Sequence, residues 1–422
     1  MKKILLGLSL LFAIQLNAQH GPNSQNNTHQ IPETQLNTAV ANFDITEDTF
    51  VNLCINAVQE SNIANTIVAL QNYGTRFHTK ASGVQASHDL KNNWQNMVSE
   101  AGRTDITVEE FSHNFSNQVS VILTIPGAVT PDEIIIIGGH LDSGDYWIQD
   151  NAPGADDNAS GIATLTETLR VLLDHNFQPQ KTVQIMAYAA EEIGLFGSAD
   201  IAQNYKDNDK NVLAVLQFDM TNYKGSDFDI ALNNDTAYIS PELNLFLIEL
   251  LEHYNAEGEH KITYGSSKCN YACSDHASWG QRGFAAAFPM EAKFEESNPN
   301  IHTTNDTFEA MGSTAEHSVK FVKLALEFVI ETGKQYHLKT SEVNSPVLKI
   351  STQNKTLTYQ FSHLNNSLQS VAIYNAAAQK ITDSKHPAAN GSISLDGTPG
   401  GVYTVIFKDS KGKSWSKRFI IK

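Results

Sequence analysis

The run Glu133-Ile134-Ile135-Ile136-Ile137-Gly138-Gly139-His140-Leu141-Asp142 decides the fold, read with the stretch that continues to Glu192. Downstream lie Ala155-Asp156-Asp157-Asn158-Ala159-Ser160-Gly161 and then Val183 to Ala190, which ends in Glu191-Glu192. Short apolar, β-branched runs cut off by glycine or charge predict strands buried on both faces. Between them Ile162, Leu165, Leu169 and Leu172 recur at helical spacing. The pattern is βαβ, with His, Asp and Glu near the loop tips. In open α/β sheets, chemistry gathers beyond the carboxyl ends of the strands. A metal site is the expectation.

Working outward, residues 49–99 carry apolar residues at helical spacing (Leu53, Ala57, Ile63, Ile67, then Leu90, Trp94, Met97), broken at Tyr73-Gly74-Thr75-Arg76. Val108 and Val119 to Ile125 predict two strands. Beyond the βαβ unit, Val212 to Phe218 predicts a third buried strand ending at Asp219, and Leu243 to Leu251 an amphipathic helix. A fourth run, Phe284 to Phe288, ends in Pro289-Met290-Glu291, and a last helix spans about 315–331. The expected fold is α/β, a mixed, mostly parallel sheet flanked by helices, followed by a small all-β sandwich. That sandwich is read from short alternating segments at 347–351, 357–361, 368–374, 401–408 and 414–421, with turns at Asn390-Gly391 and Pro399-Gly400-Gly401.

Lys2-Lys3 followed by an apolar run from Ile4 to Ile14, with Ala18 before Gln19, reads as a secretory signal over residues 1–18. Residues 19–46 read as a flexible leader or short pro-segment, 47–337 as the catalytic domain, 338–346 as a linker and 347–422 as the sandwich. No run is long enough to span a bilayer. The formal charge of −17 argues against a nucleic-acid partner. Cys269 and Cys273 could bridge in a tight loop of an exported chain, with metal ligation as the rival; Cys54 reads as a small buried hydrophobe.

His140, Glu191-Glu192 and Asp219 follow three strand-like runs, His302 follows the fourth, and a central loop adds Asp156. Two imidazoles and three carboxylates without thiolate suit a pair of divalent ions, zinc best and manganese or cobalt as alternatives, with one carboxylate bridging. Each residue alone has a bland reading: a buried histidine, a helix cap at Asp156 or Asp157, a solvated Glu pair. Their gathering at the strand ends and loops of one sheet is what favours the metal.

The motifs Gly138-Gly139-His140-Leu141-Asp142, Ala152-Pro153-Gly154-Ala155-Asp156-Asp157, Ala187-Tyr188-Ala189-Ala190-Glu191-Glu192, Asp219-Met220-Thr221-Asn222-Tyr223 and Asn298-Pro299-Asn300-Ile301-His302-Thr303-Thr304 resemble the secreted bacterial leucyl aminopeptidases, di-zinc exopeptidases of the M28 metallopeptidase family. The resemblance runs from about Ile63 to Gly333 and takes in Cys269 to His276. It implies two Zn2+ ions, bridged by Asp156, with Glu192 and His302 completing one site and His140 and Asp219 the other. It implies Glu191 as general base, Asp142 orienting His140, Tyr271 as oxyanion donor and a Cys269–Cys273 disulfide. It also implies an apolar pocket near Met220, Met290 and Phe294, and a cis peptide after Asp156. Asn158, often acidic in relatives, sits at a helix start. The last segment, with Gly401-Val402-Tyr403-Thr404-Val405 and Lys417 to Lys422, resembles the sorting domain of the type IX secretion system.

Together these readings predict a secreted dizinc aminopeptidase acting on apolar N-terminal residues of peptides with a free N-terminus, and handled by type IX machinery. A carboxypeptidase of the same fold, a one-metal glutaminyl cyclase and a metal-free surface binding protein are the competing readings. The last two should have lost ligands or the base.

Overall fold

A computed structural model describes residues 43–145, 150–336, 347–362, 364, 367–375 and 379–422. The expected signal segment, the leader up to residue 42 and the linker at 338–346 lie outside the described residues. The chain divides into two compact units, residues 1–336 and 337–422.

In the first unit three helices, α1 (Asp48–Ile55), α2 (Glu60–Gln71) and α3 (Ala81–Glu100), precede the hairpin of β1 (Thr107–His113) and β2 (Ser116–Ile125). Then come β3 (Thr130–His140), α4 (Ala159–Asp174), β4 (Lys181–Tyr188), α5 (Phe196–Asp207) and β5 (Asn211–Gln217). β6 (Ile230–Asn233), α6 (Pro241–Tyr254), β7 (Tyr264–Ser267), α7 (His276–Gly280), β8 (Ala286–Ala287), β9 (Pro289–Met290) and α8 (Glu316–Gly333) complete it. The main sheet has the order β1-β2-β4-β3-β5-β8. β1 and β2 are antiparallel, as are β2 and β4, whereas β4, β3, β5 and β8 run parallel.

Alternation along β3 shows why the isoleucine run is a central strand. Ile135 and Ile137 join the large core with α4 and α8, while Ile134 and Ile136 join a second core with Ile201, Tyr205 and Trp279 on the opposite face. Both faces are covered, so the run needs no polar residue. β3 and β5 are locked at their ends by the Phe218 N–H donating to Gly138 O at 2.7 Å. Glycine is needed at Gly139, where a Cβ would lie 2.6 Å from Phe218 O. At Gly161, in the first turn of α4, a Cβ would lie 2.6 Å from the same oxygen. Glycine at these two positions lets the carboxyl end of β3 and the amino end of α4 close on the end of β5.

Residues 43–46, assigned to the leader by sequence, pack on this unit. The Phe43 ring lies 5.3 Å from that of Phe246, and the Thr46 and Glu47 amides donate to Glu331 at 2.9 and 2.8 Å. The second sheet, β7-β6-β9, has no signature in the sequence: its strands are two to four residues long, below what periodicity detects. No helix among the described residues is long and apolar enough to cross a membrane.

Helix α8 buries Glu327 completely. Its Oε1 accepts from Asn255 Nδ2 at 3.0 Å, while its Oε2 has no hydrogen-bond partner among the described residues. Burial pushes this carboxyl up to about 8, against the Asn255 hydrogen bond and the Lys323 charge. A folded-state value above the unfolded one gives stability that is present at acid pH and is lost as pH rises toward 8. Glu327→Gln is therefore expected to raise stability at neutral pH by on the order of 3 kcal/mol and to change little near pH 4. Thermal melts across that range check it.

The second unit places β10 (Val347–Gln353), β11 (Thr356–Ser362), β12 (Leu368–Asn375), β13 (Lys380–Lys385), β14 (Asn390–Ser394), β15 (Gly401–Asp409) and β16 (Ser414–Ile421) in two antiparallel sheets, β10-β11-β14 and β13-β12-β15-β16. One core joins them, with Tyr359 and Phe361 of one sheet against Phe407 of the other.

Candidate metal centre

The carboxyl ends of β3, β4 and β5 deliver His140, the Glu191-Glu192 pair and Asp219 to one edge of the main sheet. The loop before α4 adds Asp157, and the loop before α8 adds His302. His140 Nε2 lies 3.0 Å from Asp157 Oδ1 and 3.2 Å from Asp219 Oδ1. His302 Nε2 lies 3.1 Å from Asp157 Oδ2 and 3.0 Å from Glu192 Oε2. Two groups result, His140–Asp157–Asp219 and Asp157–Glu192–His302, each with its ligand atoms within 4.8 Å of one another. Asp157 is common to both and presents one oxygen to each histidine.

The aspartate shared by the two groups is therefore Asp157, where the sequence reading expected Asp156. Asp156 is fully buried and faces the other way. Its Oδ1 accepts from the Asn222 amide at 3.0 Å and its Oδ2 from Asn298 Nδ2 at 3.1 Å. Glu291, 1% exposed, stands against it. Burial and the Asp156 charge push the Glu291 carboxyl well up, and a side-chain hydrogen bond joins it to Asp156. Asp157 goes the opposite way: burial would raise it, but hydrogen bonds from His140 and His302 outweigh burial and hold it well below the usual carboxylate range. The cis peptide also lies one residue later than expected, between Asp157 and Asn158. Neither aspartate caps α4. Asn158 does so, accepting from the Gly161 amide at 2.9 Å and donating to Phe218 O.

Partners behind the ligands fix their orientation, as metal sites require. His140 Nδ1 points at the Asp142 carbonyl at 3.1 Å and lies 3.5 Å from Asp142 Oδ1. The Asp142 carboxylate itself accepts the amides of Glu191 and Glu192 at 3.0 and 3.1 Å. Expected only to orient His140, Asp142 thus also pins the strand end that carries both glutamates. Glu192 Oε1 accepts the Gly144 amide at 2.7 Å, leaving Oε2 for His302. Asp219 Oδ2 accepts Ser274 Oγ–H at 2.6 Å, and Ser274 Oγ accepts Gln217 Nε2. Beneath the loops, the fully buried Arg76 donates to Leu141 O, Pro153 O and Gly154 O. In the sequence Arg76 stands out only as part of a helix break. Ala190, Met220 and His302 hold positive φ of 55–57°. Non-glycine residues adopt that region at a cost of roughly 1 kcal/mol or more, here directly before Glu191, directly after Asp219, and at His302 itself.

The donor set suits divalent cations. Neighbouring carboxylates raise both His140 and His302 well above the ordinary imidazole value, overriding burial, which lowers them. A site that draws positive charge onto two imidazoles, with carboxylate oxygens 3 Å away, can take it from metal in place of protons. Oxygen and imidazole nitrogen in this proportion match zinc chemistry. Glu191 belongs to neither group; burial and the Asp275, Asp219 and Glu192 charges push its carboxyl well up, with the His140 charge opposing.

Cys269 and Cys273 form a disulfide, and Cys54 is free and buried. Cys269 and Met290 share a small core with Ile239 and Phe288, so the expected pocket residue Met290 is 5% exposed. The Tyr271 and Phe294 rings meet edge-on at 5.9 Å and are about two-fifths exposed. Met220 is held beside Asp219, its amide donating to Asn158 Oδ1.

Residues 120–327 match the model of peptidase family M28. A probable aminopeptidase of Saccharomyces cerevisiae is 32% identical over 309 residues, 72% of this chain and 79% of the relative. Leucine aminopeptidase 1 of Penicillium rubens is 35% identical over 286 residues, covering 65% and 72%. The crystal structure of LapA from Legionella pneumophila superposes with a TM-score of 0.64 at 33% identity, covering 70% of this chain and 79% of that one.

Proposed function

Given that the chain belongs to peptidase family M28 and is a metallo-aminopeptidase, we propose that it uses two zinc ions to remove N-terminal, mainly apolar residues from peptides outside the cell. His140, Asp157 and Asp219 would hold one ion; Asp157, Glu192 and His302 would hold the other. One observation carries the reading: the two oxygens of Asp157 are turned to two different histidines, 3.0 and 3.1 Å away.

When bound, paired divalent ions supply Lewis acidity toward the scissile carbonyl and a strong nucleophile at neutral pH. The protein's own groups do the rest. Glu191 takes a proton from the attacking water and passes it to the amine as the C–N bond breaks. Asp142 keeps Glu191 and His140 in register through the hydrogen bonds above. Tyr271 would donate to the oxyanion, from a loop tied by the disulfide and against Phe294. The apolar preference rests on Met220, Met290 and Phe294 lying on the segments around Asp219 and the disulfide core.

The signal-like segment at residues 1–18 supports export, and the two-sheet second unit supports a sorting role in the type IX system. The first rests on the pattern of the residues and the second on sequence resemblance.

The test is hydrolysis of aminoacyl amides, free and N-acetylated, before and after chelation. Free-amine substrates should be cut, acetylated ones spared, and activity lost on chelation should return with zinc. Full activity in the metal-free protein, or preference for acetylated or C-terminal substrates, contradicts the reading.

A further inference from the structure

The loop that carries His302 belongs to no strand, and nothing in the sheet fixes its distance from Asp157. Asp306 supplies that link. It is 1% exposed and lies four residues beyond His302. Its Oδ2 accepts the Asp157 amide at 3.0 Å, and its Oδ1 accepts the Asp156 amide at 3.1 Å. Its main-chain oxygen accepts the Ala155 amide at 3.1 Å. Asn298 Nδ2, at the other end of the His302 loop, donates to Asp306 Oδ1 at 3.2 Å and to Asp156 Oδ2 at 3.1 Å. Three successive amides of the Asp157 loop therefore end on one residue of the His302 loop.

The other metal position is built differently. His140 and Asp219 follow β3 and β5, which are paired along their length and joined by the Phe218–Gly138 hydrogen bond. Asp219 has its own support in Ser274. Loosening the 298–306 loop would act on His302 directly and on Asp157 through its amide, while His140 and Asp219 keep their own supports.

We propose that Asp306 is a positioning residue that sets the spacing between Asp157 and His302, and so controls occupancy of the Asp157–Glu192–His302 position selectively. The inference rests on the two-metal reading above. In Asp306→Asn an amide N–H₂ replaces one acceptor oxygen and meets a backbone N–H, so one of the two side-chain clamps is lost. Asp306→Glu keeps the carboxyl group but lengthens the arm.

The experiment is Zn2+ titration of the metal-free full chain against a chromophoric chelator, for wild type and both variants, with the melting temperature of each metal-free protein. Wild type should bind two equivalents. In the variants one equivalent should weaken by about 10- to 100-fold, the usual cost of losing a partner behind a metal ligand, while the other stays near wild type. Equal weakening of both equivalents, or unchanged binding with only a lower melting temperature, overturns the proposal. A wild type that binds a single equivalent instead removes the two-metal reading itself, and this inference with it. If Asp306→Asn does not fold, the same comparison of the two equivalents is made on Asp306→Glu.

Discussion

Asp157→Asn is expected to leave no more than one divalent ion per chain and to lower kcat/KM by well over about 100-fold, beyond the cost of losing even an outer partner of a metal site. A carboxamide offers one oxygen, and its N–H₂ would be turned toward one of the two histidines that Asp157 now faces at 3.0 and 3.1 Å. It also removes a buried negative charge that His140 and His302 hold well ionised. Asp156→Asn provides the contrast. It should keep two ions, because Asp156 spends its oxygens on Asn222, Asn298 and Glu291. Its expected cost is in stability, about 1–3 kcal/mol for a buried donor left without its acceptor. Metal content by elemental analysis, together with steady-state kinetics, separates the two aspartates. The reverse pattern would return the bridge to Asp156.

Glu191→Gln is expected to keep both ions and lower kcat by about 10²–10⁴-fold, the usual contribution of a positioned general base. Glutamine has nearly the same volume and leaves the Glu191 amide on Asp142, so the strand end keeps its geometry. What it loses is the capacity to take a proton. KM should change little, and the acid limb of the kcat profile should disappear. A variant within tenfold of wild type would place the base elsewhere.

The βαβ frame was legible because strand and helix announce themselves by period: four isoleucines that alternate between two cores, and leucines three and four apart on α4. His140, Glu192 and Asp219 were legible because each closely follows an apolar run, and His302 through the Asn298–Thr304 motif. The choice between Asp156 and Asp157 was not. Adjacent aspartates in a loop carry no period, and what turns them apart lies 66 to 150 residues away, at Asn222, Asn298 and Asp306. Asp306 and Ser274 gave no signal of their own, although Asp306 lies two residues beyond the Asn298–Thr304 motif and Ser274 lies inside the Cys269–His276 stretch. In the second unit β13 carries no apolar alternation, because Lys380–Lys385 is polar and largely exposed. Asn390-Gly391, a turn dipeptide by chemistry, instead opens β14, which pairs with β11 at the edge of its sheet. The run at Phe284–Phe288 shrinks to the two residues of β8, since the main sheet ends there.

Anomalous diffraction at the zinc edge from crystals of the zinc-loaded chain measures the metal positions themselves. The expected map has two peaks about 3.5–4 Å apart, one touching His140 and Asp219, the other Glu192 and His302, with Asp157 between them. A single peak, or two peaks bridged by any residue other than Asp157, would contradict the account.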